Sequence, residues 1–144
     1  MIEVRKSSIS DAPAIIELLN ALGYPDSDKF IEKRINQLND SQDAEILVAS
    51  DEDRVVGFVS VHFIPQLALA GDYCRITYFC VSEAYRNQGV GSLLEAGVVS
   101  LAKQRGCLAI ELHCHSRRVD AHRFYFGINY QESPKYLIKS LAVI

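Results

Sequence analysis

The chain has 144 residues, of which 49% are apolar and 23% charged, with a formal net charge of −3. A length of this order suits one domain, residues 1–144, that buries roughly two thirds of its unfolded surface without staples. The charge balance excludes a globally basic surface of the kind that nucleic acid or an anionic membrane selects, so any anion must be met locally. The opening MIEVRKSSIS lacks the apolar core of a signal peptide, and no apolar run approaches the roughly 18 residues of a membrane span; the expected location is the cytoplasm. Cys74, Cys80, Cys107 and Cys114 show no CxxC spacing, so reduced packing cysteines are expected rather than a disulfide framework or a zinc ribbon.

A short strand is predicted at 2–5. Ser10, Asp11, Ala12 and Pro13 then open a helix, with a capping polar residue and an early proline. Ile15, Leu18, Leu19 and Leu22 mark its buried face, and Gly23 ends it. A second amphipathic helix follows Asp28, with Phe30, Ile31, Ile35 and Leu38 on its stripe. From residue 45 the period becomes that of strands: EILVAS, a turn at Asp51–Glu52–Asp53 and RVVGFVSVHFI form an antiparallel hairpin, and YCRITYFCV at 73–81 is a third strand. Leu93, Leu94, Val98, Leu101 and Ala102 mark the next helix, which stops at Gly106; CLAIELHC is a strand, 120–128 a short helix and KYLIKSLAVI a last strand. Strand, glycine turn, helix and strand make a parallel crossover, so the expected architecture is a mixed α/β domain with helices covering a mostly antiparallel sheet.

The turn of that crossover, VSEAYRNQGVGSLL at 81–94, carries the chemistry. A strand that ends in a glycine turn and opens a helix leaves backbone N–H groups at the positive end of a helix dipole, and such a site binds phosphate. Gly89 and Gly91 let an anion approach the amides, with Arg86 as a local positive charge. A dinucleotide fingerprint is excluded because the third glycine position is Leu94, and a mononucleotide P-loop because the turn has no lysine. On the two glycines alone, an anion site and a tight connection that tolerates glycine stand equal.

More residues decide. Arg86-x-x-Gly89-x-Gly91, preceded by FCV at 79–81 and followed by a leucine-bearing helix, resembles the R/Q-x-x-G-x-G/A acyl-CoA signature of the GNAT family of N-acetyltransferases. About 30 residues on, Asp120–Ala121–His122–Arg123–Phe124–Tyr125, with Tyr130 beyond it, is similar to the AHxFYxxxGF/Y segment of that family. The order of elements is similar over essentially the whole chain. The resemblance implies a GNAT-like α/β (α+β) fold: a mixed, mostly antiparallel sheet, a parallel central strand pair splayed at the acetyl-CoA site, and helices on both faces. It implies acetyl-CoA as co-substrate and no metal. Its pyrophosphate would lie on Arg86, Asn87, Gln88, Gly89, Val90, Gly91 and Ser92, and its pantetheine arm along Phe79, Cys80 and Val81.

Acetyl transfer to an alkyl amine needs a neutral nucleophile, yet a pKa near 10.4 leaves only about 0.04% neutral at pH 7, so a base, a water chain or a pKa-lowering pocket is required. Tyr125 matches the tyrosine that, by resemblance, serves as general acid to the coenzyme sulfur; the competing reading is an aromatic core patch, FYF at 124–126. For the base, the strand before the turn offers no carboxylate, since positions 75–78 read Arg75, Ile76, Thr77 and Tyr78. Glu111, His113 and His115 share one face if their strand alternates; the alternatives are a salt-bridged or solvated position for each, or a water-mediated route. A zinc site from His113, Cys114, His115 and His122 is disfavoured, because adjacent strand residues point to opposite faces.

Two positions depart from the family pattern. Asn129 stands where the resemblance expects glycine, and asparagine tolerates the left-handed backbone. Arg118 stands where many relatives have an asparagine that contacts the coenzyme arm.

The leading expectation is an N-acetyltransferase moving the acetyl group to a primary amine of a small molecule by direct attack, without an acyl-enzyme. The ending SRRVDAHRFYFGINYQES resembles the branch with aminoalkylphosphonate and aminoglycoside acetyltransferases, although the acceptor does not carry over. Arg117, Arg118 and Arg123 suit an acceptor with an anionic group, or form a solvated basic face. The alternatives are a protein or peptide N-acetyltransferase and a non-catalytic acyl-CoA-binding module. By resemblance a homodimer is expected, through the apolar C-terminal strand.

Overall fold

The computed structural model describes residues 1–114, 118–133 and 136–141. Strand β1 (Ile2–Lys6) leads through a 3-10 turn at Ile9–Asp11 into helix α1 (Ala12–Leu22), which ends at Gly23; α2 spans Ile31–Asp40. Strands β2 (Ala44–Asp51) and β3 (Arg54–Ile64) form the expected hairpin, its turn made by Glu52 at φ 54°. Strand β4 (Tyr73–Val81), helix α3 (Val90–Arg105), strand β5 (Ala109–Leu112) and helix α4 (Val119–Gly127) complete the order. The chain divides into two compact units, Met1–Leu112 and His113–Ile144, and α4 belongs to the second.

In the first unit five strands lie in the order β1-β2-β3-β4-β5; all neighbours are antiparallel except β4 and β5. The sheet is covered on both faces because its central strands are apolar on both. Val90, Leu94, Val98 and Ala102 of α3 pack on Val59, Val61, Phe63, Cys74 and Ile76. On the opposite face Ile15, Leu18 and Leu19 of α1 and Ile31 and Ile35 of α2 pack on Ile46, Val48, Phe58 and Cys80. Each fully buried aliphatic side chain of this kind contributes about 1.5–3 kcal/mol. Cys74 and Cys80 are buried in the core while Cys107 and Cys114 are partly exposed, and burial pushes the Cys74 thiol up to about 12.

Asp11 secures the start of α1. Its carboxylate accepts the Ser8 N–H at 2.8 Å and two bonds from the Arg5 guanidinium, each at 2.8 Å, which hold it below the usual carboxylate range. A depressed carboxylate stabilises the fold above its unfolded value near 3.9, and that stability is lost as pH falls through the lower folded value. Asp11→Asn is therefore expected to destabilise the chain by about 1–3 kcal/mol at pH 7 and to flatten the acid end of its stability profile, as denaturant melts between pH 2 and 7 will show.

Four expectations are corrected. Phe30 does not join the stripe of α2: it precedes the helix at φ −144° and is half-exposed. Leu93 is exposed, because the i, i+4 row Val90–Leu94–Val98–Ala102 takes the buried face of α3. The strand expected over CLAIELHC is confined to four residues, because its pairing with β4 ends at Ile76↔Leu112. KYLIKSLAVI has the composition of a strand, but 136–141 lie in none; a strand needs a ladder, and Leu137, Ile138 and Leu141 are exposed instead. Lys135 and residues 142–144 lie outside the described residues.

Candidate functional site

The site begins inside β4. The β3–β4 register places Ser60 opposite Tyr78 but Val61 opposite Ile76, so Thr77 is an extra residue, a β-bulge. Its Oγ1 donates to the Ser60 carbonyl at 3.0 Å and contacts the Ser60 hydroxyl at 3.2 Å. The parallel register with β5 stops at Ile76↔Leu112, one residue before this bulge. From Tyr78 to Val81, β4 is paired with β3 alone, because β5 ends at Leu112.

Beyond β4 the backbone is steered into α3 without any side-chain cap. The Ser82 N–H donates to the Val56 carbonyl at 2.8 Å, a 3-10 turn runs over Glu83–Tyr85, and Arg86 is extended. Asn87 and Gly89 then take left-handed conformations, φ 63° and 82°, and Gly89 is the N-cap of α3. The Leu93 N–H reaches the Gly89 carbonyl at 3.1 Å, which leaves the amides of Val90, Gly91 and Ser92 ahead of the first such bond. Gly89 has no side chain with which to cap this end, and no acidic residue occupies its first turn. A Cβ added at Gly89 would meet nothing within 4 Å, and Arg86, Asn87, Gln88 and Gly89 are exposed. The arrangement is a helix N-terminus that opens on a left-handed glycine, with exposed Arg86 three residues before it.

The start of α3 is seated by a residue that the sequence reading passed over. A Cβ at Gly57 would lie 3.0 Å from the Cys80 carbonyl, 3.2 Å from Leu94 and 3.4 Å from Val90. Any larger residue would make β4 or the first turn of α3 give way slightly, so glycine suits this close approach. A glycine inside the β-branched run VVGFVS was the available signal.

The structure thus brings Phe79, Cys80, Val81 and 86–92 into one continuous strip. The Cys80 thiol points away, donating to the Leu18 carbonyl at 3.4 Å. Glu111 is engaged by Arg75, its register partner, whose Nε donates to it at 2.9 Å and whose terminal nitrogen lies 2.7 Å away. His113 lies beyond the end of β5, its ring stacked on Tyr136 at 4.0 Å; His115 and Arg117 are outside the described residues.

In the second unit Tyr125 is buried on α4, its ring edge-on to Phe124 at 5.3 Å and to Tyr130 at 5.5 Å. Burial pushes its phenol up to about 12, with the nearby Cys114 adding to the rise and Arg118 opposing it. Asn129 takes the left-handed conformation, φ 73°, and the Tyr130 N–H closes the helix end on the Tyr125 carbonyl at 3.0 Å. Arg118 is exposed at the N-cap of α4, and Arg123 lies 3.7 Å from Asp120.

A strand that carries a bulge and passes through a left-handed glycine into a helix is the setting of the family match: residues 12–128 match the family model described as Acetyltransferase (GNAT) family, and the chain belongs to that family. It is similar to the aminoalkylphosphonate N-acetyltransferase of Salmonella typhimurium (strain LT2), 36% identical over 87 residues. That match covers 60% of this chain and 56% of the relative, so it spans little more than half of the relative's length. The fold resembles a transcriptional regulator from Bacillus halodurans C-125, with a TM-score of 0.88 at 24% identity, covering 98% of this chain and 100% of that one. It also resembles glucosamine-6-phosphate N-acetyltransferase from Arabidopsis thaliana, with a TM-score of 0.86 at 22% identity and 99% of each chain covered.

Proposed function

We propose that this chain is an acetyl-CoA-dependent N-acetyltransferase acting on a primary amine of a small molecule. The observation that carries the reading is the N-terminus of α3, opened by left-handed Gly89, after a strand that runs on past the end of its parallel neighbour. The amides of 86–92 and the Arg86 guanidinium hold the pyrophosphate, and the Phe79–Val81 backbone aligns the pantetheine arm as an added strand would. Acetyl-CoA supplies the activated thioester. The amine attacks its carbonyl directly, and Tyr125, protonated at neutral pH, gives its phenolic proton to the departing thiolate. With Glu111 held by Arg75, deprotonation of the amine falls to His113, His115 or a water chain.

The similarity to an aminoalkylphosphonate acetyltransferase favours small amines that carry an anionic group. A panel of such amines, neutral amines and peptides, followed by thiol release and intact mass, tests this. Thiol release with small amines is expected. Acetylation of peptides alone would overturn the acceptor class, and no release with any amine would leave only a binding module.

The enzyme works in the cytoplasm as a homodimer, with the exposed Leu137, Ile138 and Leu141 at the contact. Sizing chromatography is expected to return twice the mass of one chain, and a monomer at micromolar concentration would refute it.

A further inference from the structure

We infer that Tyr85 is a positioning residue, which holds the anion-binding turn in its competent form through a hydrogen bond to the β2–β3 hairpin. The inference rests on the donor site proposed above. Tyr85 ends the 3-10 turn immediately before Arg86, and its ring packs against the edge of the α3-side core. Its hydroxyl donates to Asp51 Oδ2 at 2.9 Å, across 34 residues of sequence. Asp51 is the last residue of β2, facing Arg54 across the tight hairpin turn, and the Arg54 guanidinium lies 5.9 Å over the Tyr85 ring.

The turn has few other restraints. Between Val81 and Val90 the chain crosses a 3-10 turn and two left-handed residues, and 86–89 are exposed. The Ser82 N–H to the Val56 carbonyl fixes its beginning and buried Val90 fixes its end. Between these points, the Tyr85–Asp51 bond ties the turn to a rigid hairpin, and Gln88 only folds back on the turn itself, to the Ala84 carbonyl at 3.1 Å. When a tether sets the fraction of molecules in the binding-competent form, its loss raises the apparent dissociation constant by the inverse of that fraction.

The test is CoA binding by titration calorimetry, paired with hydrogen exchange of the amides of 86–92, on Tyr85→Phe, Asp51→Ala, Asp51→Asn and the Tyr85→Phe/Asp51→Ala double variant. Tyr85→Phe and Asp51→Ala are each expected to weaken CoA about fivefold to tenfold and to speed exchange in 86–92. The double variant is expected to be no worse than Asp51→Ala, because the Tyr85 bond is common to both singles; Asp51→Ala also removes the contact of Asp51 with the N-terminal ammonium at 3.4 Å. Asp51→Asn, which keeps an acceptor oxygen, is expected to recover most of the affinity. Unchanged CoA affinity in Tyr85→Phe, additive losses, or no recovery with asparagine would overturn the inference while wild-type binding leaves the donor site standing. Absence of CoA binding to the wild-type chain would overturn the donor site and the inference with it.

Discussion

Replacing Tyr125 by phenylalanine is expected to lower kcat at least about tenfold and to leave acetyl-CoA affinity nearly unchanged. Phenylalanine keeps the ring that packs beside Phe124 and Tyr130, so the change removes a proton donor and little packing. The pH profile adds a second check. A phenol pushed up to about 12 stays protonated as pH rises through the range of an ordinary tyrosine, and it loses its proton only near that raised value. Any fall in kcat between pH 8 and 10 must therefore persist in Tyr125→Phe, because it belongs to another group. An unchanged rate in Tyr125→Phe would return the residue to the aromatic packing reading.

Gly89→Val is expected to weaken CoA binding at least about tenfold. Two effects act in one direction. At φ 82° an L side chain costs about 1–2 kcal/mol, and a β-branched one more, so the turn is pushed from its conformation. The valine also adds bulk beside the turn proposed to hold the pyrophosphate, where nothing lies within 4 Å of a Cβ at Gly89. Gly91→Val separates these effects, since Gly91 lies within the first turn of α3 and outside the left-handed region. It is expected to weaken CoA with a smaller loss of stability. Titration calorimetry and denaturant melts on both variants check this, and unaltered affinity in both would remove the anion site.

Some of this was legible in the sequence because it depends on neighbours along the chain. The alternation of YCRITYFCV placed β4 at its observed bounds, and the glycine turn followed by leucines placed the start of α3. Asn129 was legible for the same reason, as its left-handed backbone is a local preference. What depends on distant partners was not. The bulge at Thr77 exists only against Ser60, and Gly57 suits its place only because α3 approaches it. The Glu111 carboxylate looked available as a base because Arg75, 36 residues earlier, is its neighbour only across a ladder. KYLIKSLAVI has strand composition, but no composition reveals whether a partner strand is present.

The bulge at Thr77 also makes β4 two half-strands with independent phase. Before it, Cys74 and Ile76 face α3; after it, Phe58 and Cys80 meet on the side of α1, and Phe79 turns to the α3 side. Deleting Thr77 would restore a regular ladder with Ile76 still opposite Val61 and Tyr78 still opposite Ser60, so Phe79, Cys80 and Val81 would keep their present faces and the strand would lose only the local bend of the bulge. Tyr73–Ile76 is paired on both sides, with β3 and β5, while Tyr78–Val81 is paired with β3 alone, so losing Thr77 is expected to change the direction in which the second half leaves the sheet rather than the faces its residues occupy.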